Sequence, residues 1–218
     1  MLAHDRTLLV SEIFYSIQGE SSFAGLPCVF IRLAGCNLRC SYCDARYTYE
    51  EDGFEKTLDE LIDCTGKRPH ALVEITGGEP LLQENVYPLI DLLKEEGRTV
   101  LLETNGSIPL NRVPAGVIKI MDIKCPDSGM HEKTDFTNLT YLTKQDEIKF
   151  VLSSRDDYDW AIKTIERYGL KEKNLLFSPV EGRLQADRLA EWVLADTLSV
   201  RMQVQLHKVL WPDRKRGV

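Results

Sequence analysis

Several features are missing from this 218-residue sequence, and each absence narrows what the chain does. No run of about 18 apolar residues is present, so no membrane-spanning helix is expected. The opening stretch MLAHDRTLLVSE carries neither a long apolar segment nor a small-residue cleavage site. It does not read as a secretory signal, and the cytoplasm is the expected location. There is no internal repeat and no low-complexity segment. Positive charge is not in excess: 27 Lys and Arg against 34 Asp and Glu give a net charge of -7. Such a chain is poorly suited to binding nucleic acid through bulk charge, although residues 208–216 hold a local basic run of Lys208, Arg214, Lys215 and Arg216. No disulfide framework is expected either. Six cysteines in a reducing compartment read as metal ligands or core thiols.

What is present is enough apolar residue, 43%, to build a substantial core in one domain spanning 1–218. Apolar runs rich in Val, Ile and Phe predict strands near 8–15, 28–34, 72–76, 99–103, 117–123, 147–152, 174–177 and 202–206. Helical stripes lie between several of them. Leu58, Leu61 and Ile62 follow Thr57, a candidate N-cap with Glu60 three residues on. Val86, Leu89, Ile90 and Leu93 form a second stripe stopped by Gly97, and Trp160, Ile162, Ile165 and Tyr168 a third stopped by Gly169. Residues 184–194 suggest a fourth, with Leu189, Trp192 and Val193 turned inward. Strand and helix in alternation predict an α/β fold with a mostly parallel sheet and helices outside. The chain is short for a complete eight-fold barrel, which takes about 250 residues, so a partial, open TIM-like barrel fits better. Chemistry then belongs at the C-terminal ends of the strands.

The most informative segment is AGCNLRCSYCDA, directly after the strand at 28–34. It places Cys36, Cys40 and Cys43 in a CxxxCxxC pattern on one loop, and Gly35 lets the chain leave the strand sharply. Three thiolates so spaced can wrap one soft metal centre. On a 4Fe–4S cubane they leave one iron open for a substrate. Structural zinc needs four ligands, and the nearest further cysteines are Cys28 and Cys64. A zinc site completed by a distant ligand, or plain core cysteines, are the alternatives. Further along, Thr76, Gly77, Gly78, Glu79 and Pro80 end a strand with two glycines, which admit close backbone approach or simply make a tight turn. LETNG ends the next strand with Glu103 and Asn105, suited to a ligand or to capping. In MDIKCP, Asp122 and Lys124 share one strand face, as ligand contacts or as a buried ion pair.

The cysteine spacing, with Tyr42 before the last Cys, resembles the radical S-adenosylmethionine superfamily. The resemblance implies that Cys36, Cys40 and Cys43 hold a 4Fe–4S cluster whose open iron chelates S-adenosylmethionine, which is cleaved to a 5′-deoxyadenosyl radical. TGGEP resembles the superfamily's GGEP motif for the methionine amino group. Tyr42, Asp44, Gly77, Gly78, Glu79, Asp122 and Lys124 are thereby expected at the cofactor.

The stretch EIFYSIQGESSFAGLPCVFIRLAGCNLRCSYCD, with TGGEP, LETNG, DIKCP and QLHKVLWP, resembles the 7-carboxy-7-deazaguanine synthase family of queuosine precursor biosynthesis over essentially the whole chain. That resemblance implies a carbon–nitrogen lyase acting on 6-carboxy-5,6,7,8-tetrahydropterin by radical ring contraction with loss of ammonia. It also implies magnesium on the substrate carboxylate, an electron donor such as flavodoxin, and a homodimer. Ile17, Gln18, Gly19, Glu20, Arg32, Thr76 and His207 are expected at the substrate; for His207 a satisfied core histidine is the alternative. One position departs from the family. Where it commonly has a hydroxyl residue after Cys-Asp, this chain has Ala45, which leaves magnesium to Asp44, Thr48, water and substrate. A glycyl-radical activating enzyme shares CxxxCxxC and is the rival enzyme; a cluster-binding redox or nucleic-acid module is the non-enzymatic one.

Overall fold

The structure is a computed structural model and describes residues 6–68 and 72–218; the stretch 1–5, part of the N-terminal reading above, lies outside it. Nine strands form one sheet: β1 (Thr7–Ile17), β2 (Pro27–Leu33), β3 (Phe54–Thr57), β4 (Leu72–Gly77), β5 (Val100–Thr104), β6 (Ile118–Lys124), β7 (Glu147–Leu152), β8 (Asn174–Pro179) and β9 (Arg201–Met202). Their order is β3-β1-β2-β4-β5-β6-β7-β8-β9, and no contact joins β3 to β9 in that order, so the sheet is open as expected. From β2 to β9 every pairing is parallel. The N-terminal edge is different: β1 runs antiparallel to β2 and to β3, which makes the sheet mixed. No helix among the described residues is long and apolar enough to cross a membrane.

The helices are α1 (Tyr47–Glu50), α2 (Leu58–Gly66), α3 (Val86–Glu95), α4 (Arg155–Arg167), α5 (Ala186–Ala195) and α6 (Leu206–Leu210). The capping box on α2 forms as its sequence predicts. The Thr57 side chain accepts from the Glu60 N–H, and the Glu60 carboxylate accepts from the Thr57 N–H. Leu58 and Leu61 are fully buried beneath it. One expectation fails. The stretch 202–206 is strand only at Arg201–Met202 and then turns into α6, so His207 sits on a short helix. The β5–β6 and β6–β7 connections, which carry no helical stripe in the sequence, hold only 3-10 turns, among them Leu110–Arg112 and Phe136–Tyr141.

Strand alternation sorts the side chains onto two faces. Val73, Ile75, Leu102, Met121, Ile123, Ile148, Phe150 and Phe177 belong to the helix-covered core with Leu89, Ile90, Tyr158 and Leu189. Each of these apolar side chains contributes about 1.5–3 kcal/mol when fully buried, so this face carries most of the fold's stability. The concave face is different. There Arg32, Glu74, Thr76, Glu103, Asp122, Lys124, Glu147 and Lys149 occupy the alternate positions, and most of them are buried. A sheet interior this rich in charge costs stability unless every charge is partnered, which marks the concave face as the working surface.

Candidate active site

The concave face opens into a cavity of about 680 Å³, within the range of small-molecule sites. Cys36, Cys40 and Cys43 line it from the loop after β2, Gly77 and Gly78 from the end of β4, Asn105 from beyond β5, Lys124 from the end of β6, and Ser178 from β8. All of these lie at the C-terminal ends of parallel strands. Two loops cross tightly there. The Glu79 N–H donates to the Gly35 carbonyl at 2.9 Å. A Cβ on Gly78 would stand 1.8 Å from that same carbonyl oxygen, so only glycine permits the crossing. The cysteine loop is further held by Ser41, whose hydroxyl donates to Asp127 O and whose carbonyl accepts from Arg46 and Arg183. Tyr42 reaches across the cavity and donates to the Val151 carbonyl at 3.1 Å.

Glu79 is brought to the loops but not to the cavity. Its carboxyl is fully buried and accepts from the N–H groups of Leu81 and Asn105 and from the Thr104 hydroxyl. Burial raises it to about 7 against the pull of those donors. Its place is that of a tie between the GGEP and TNG turns, and it does not line the cavity where the GGEP resemblance expects a ligand contact.

Deeper along the strands lies a network of charges. Lys149, 5% exposed, pairs with Glu20 at 3.0 Å, with Glu103 in a shorter contact, and with Asp122 at 3.6 Å. Burial works against its charge, but Glu103, Glu20 and Asp122 together hold its pKa well above the ordinary lysine value. Glu103 also accepts from Thr76 at 3.0 Å, and Lys149 and Arg32 hold it down at about 2 in spite of burial. Lys124 pairs with Asp122 at 2.8 Å. Arg32 donates to Glu12 through Nε and to the Gly77 carbonyl through one terminal nitrogen. Glu147 and Lys149 alternate along β7 with the core residues Ile148 and Phe150, which places both on the polar face.

Below this network a recess of about 60 Å³ is lined by Ile17, Gln18, Gly19, Glu20, Arg32, Glu74 and His207, among others. Every expected substrate residue therefore lies on one connected surface, with Thr76 in the main cavity beside it. Gly19 is needed at its position: a Cβ there would meet the His207 Nδ1 at 2.3 Å. The Leu206 N–H donates to the Gly19 carbonyl, which seats α6 over the recess. Burial lowers the His207 pKa, so its imidazole is neutral at physiological pH. Glu74, Glu12, Gln205 and Lys208 were not expected at the site. Their partners lie far away in sequence, and that pairing has no local pattern.

The matching family model is that of the radical SAM superfamily, over residues 30–123. A 7-carboxy-7-deazaguanine synthase from Chlorobaculum tepidum is 46% identical over 221 residues and covers 100% of both chains. One from Koribacter versatilis is 44% identical over 96% of this chain and 99% of that protein. The chain belongs to the 7-carboxy-7-deazaguanine synthase family. The crystal structure of QueE from Escherichia coli shares the fold, with a TM-score of 0.73, 24% identity, and coverage of 90% of this chain and 94% of that one. These synthases match the chain from end to end, which favours the synthase over the activating-enzyme reading.

The radical SAM domain implies S-adenosylmethionine and a 4Fe–4S cluster, and the residues of this synthase-family site fit both. The three thiols share one loop and one cavity, and the Leu38 N–H points at the Cys36 sulfur at 3.4 Å, as hydrogen bonds to cluster ligands do. Burial raises the Cys40 thiol to about 11 and pushes Cys43 up as well, so their thiolates need the positive charge of iron. Among the described residues, no group of three or more His, Cys, Asp or Glu side chains is disposed to hold a metal ion. On a cubane each thiolate meets a different iron, so the three need not converge on a point. Magnesium does not fit. Position 45 is alanine, the Asp44 carboxylate is engaged by Lys208 at 3.2 Å, and the Thr48 hydroxyl donates to the Ala45 carbonyl. Lys208, Arg32 and Lys149 hold Asp44 down at about 2, so this ion pair persists across the neutral range.

Proposed function

We propose that the protein converts 6-carboxy-5,6,7,8-tetrahydropterin to 7-carboxy-7-deazaguanine by radical ring contraction with loss of ammonia. The reading rests on one observation above others: three loop thiols and the Gly77–Gly78 crossing line one cavity, and the buried polar recess adjoins it through Glu20, Arg32, Glu103, Lys149 and His207, in a chain matched over its whole length by named synthases. When bound, the cluster and S-adenosylmethionine supply the adenosyl radical that takes hydrogen from C6 of the pterin. The chain's own residues bind, orient and shield.

Cys36, Cys40 and Cys43 hold the cluster. Tyr42, Gly77, Gly78, Asp122 and Lys124 surround the cofactor, and Glu79 fixes the two turns that receive it. Arg32 has one terminal nitrogen with no hydrogen-bond partner among the described residues and offers it to the substrate carboxylate. Thr76, Glu20 and His207 bound the pterin plane, and Ile17 and Gly19 let the ring lie close to backbone. Asp44 acts through Lys208, which it holds at the cavity mouth; magnesium has no step in this reading. The reading extends to a single radical SAM domain over 1–218, a homodimer in the cytoplasm, and an external electron donor such as flavodoxin.

The test is anaerobic reconstitution with iron and sulfide, then incubation with the carboxytetrahydropterin, S-adenosylmethionine and dithionite. The deazaguanine is expected with no protein substrate present, which also excludes the activating enzyme. Cysteine-to-serine replacement at 36, 40 or 43 is expected to abolish it. Product formation by any of these three variants at the wild-type rate would refute the assignment.

A further inference from the structure

Glu74 is a buried carboxyl that the proposed reaction leaves without a task. It lies on β4 two residues before Thr76, on the same concave face and about 7 Å deeper along the strand. Its register neighbours are the apolar Phe30 and Leu101, and it lines the recess with Phe30 and Ile120. Only one of its oxygens is used. Oε2 accepts from the Gln18 Nε2 in a short contact, and Oε1 has no hydrogen-bond partner among the described residues. The orientation of Gln18 is fixed from the other side, because its Oε1 accepts from the Glu20 N–H at 3.0 Å. The amide therefore presents its nitrogen to Glu74 and cannot turn without losing both bonds.

A carboxyl of this kind, 4% exposed, is costly unless a ligand completes its bonding. The pterin reading, on which this inference rests, says which part of the ligand reaches it. The reacting carbon C6 must face the cysteine loops at the C-terminal ends of the strands. In the fused bicycle the 2-amino group is diametrically opposite C6. With C6 upward, the amino group points down the strands to the level of Glu74.

We propose that Glu74 is a specificity-determining residue whose Oε1 accepts a hydrogen bond from the 2-amino group of the pterin. It selects 2-amino-4-oxo bicycles over their 2-oxo counterparts, the lumazines, whose C2 carbonyl would set oxygen against oxygen. Burial and the neighbouring Glu103 raise the Glu74 carboxyl to about 8, so the ionised form, whose Oε1 can only accept, is complete above that pH, and there the discrimination against a 2-oxo group is full.

The test is a specificity reversal. In Glu74→Gln the amide oxygen must accept from Gln18, because Gln18 can present only nitrogen. The new NH2 then faces the recess, repelling a 2-amino group and welcoming a 2-oxo group. Dissociation constants of pterin-6-carboxylate and lumazine-6-carboxylate are measured by calorimetry at about pH 9, where Glu74 is ionised, on reconstituted enzyme with S-adenosylmethionine bound. The wild type is expected to prefer the pterin by at least about tenfold, and Glu74→Gln to lower that ratio at least about tenfold. Glu74→Leu, which neither donates nor accepts, is expected to bring the ratio near one and serves if the glutamine variant does not fold. A ratio unchanged within twofold in either folded variant, with the wild type binding the pterin, overturns the role of Glu74 alone. A wild type that binds neither compound overturns the pterin reading and this inference together.

Discussion

Lys149 is the single side chain on which the polar interior is balanced. Glu20, Glu103 and Asp122 all direct carboxylates at one ammonium that is 5% exposed. Removing one partner from a buried ionic cluster costs about 3–5 kcal/mol, because the charges left behind have neither water nor a counter-ion. Lys149→Met, similar in volume, is therefore expected to lower the urea unfolding free energy by that amount and to abolish turnover. A loss below about 1 kcal/mol in equilibrium unfolding would show that the carboxylates find other partners. Glu74 gives a second prediction at this scale. Its folded pKa is raised from 4.5 to about 8, first by burial and then by Glu103. A raised carboxyl contributes stability that is complete below about pH 4.5 and lost as pH rises through about 8. The wild type should thus lose stability relative to Glu74→Gln across that window. Glu79 is also raised, but it is present in both proteins and drops out of the difference. A difference in urea midpoint that stays constant from pH 5 to 8 would exclude an ionisable role for Glu74.

At the scale of elements, the cysteine loop and the GGEP turn fold as one unit, because Gly78 passes within contact of the Gly35 carbonyl. Gly78→Ala places a methyl where that oxygen stands and forces the two turns apart. The expected result is a protein that folds on its apolar face but holds less than half the iron and sulfide of the wild type after reconstitution. Full cluster loading of the alanine variant would disprove the tight crossing. The elements themselves were legible wherever one local rule decides them. The α2 capping box, the α3 stripe stopped at Gly97 and the central parallel strands follow from periodicity and turn chemistry alone. The short edge strand β3 was not legible. Phe54–Thr57 is mostly exposed, and only its pairing with β1 makes it a strand. The stretch 202–206 misled for the opposite reason: Val204 and Leu206 alternate like a strand, but the Gly19 carbonyl captures the Leu206 N–H and starts a helix turn. The cysteines and glycines of the site were legible from spacing. Glu74 and Lys149 were not, since their function depends on partners 56 and 129 residues away.

For the whole molecule, the open sheet leaves one side of the cavity to be closed by the segment after β9, and the contacts that close it are ionic. Lys208 pairs with Asp44 and Glu181, Arg216 with Glu51 and over the ring of Tyr47, and the Gly217 N–H donates to Glu12. The acidic partners of these pairs have side chains more than half exposed, in contrast to the Lys149 cluster. Exposed pairs contribute about 0–1 kcal/mol each and weaken with salt, whereas buried ones are screened much less. The molecule therefore has a salt-resistant interior under a salt-sensitive cover. Raising ionic strength to about 0.5 M, where screening acts within a few Å, should loosen residues 205–218 before it touches the recess. Two readouts follow from that order of events. Hydrogen exchange in 205–218 should speed up while β7 stays protected, and the KM for the pterin should rise with little change in thermal midpoint. If exchange in 205–218 is the same at low and high salt, the cover is held by the Gly19–Leu206 backbone bond and apolar contact instead, and the ionic account of closure is wrong.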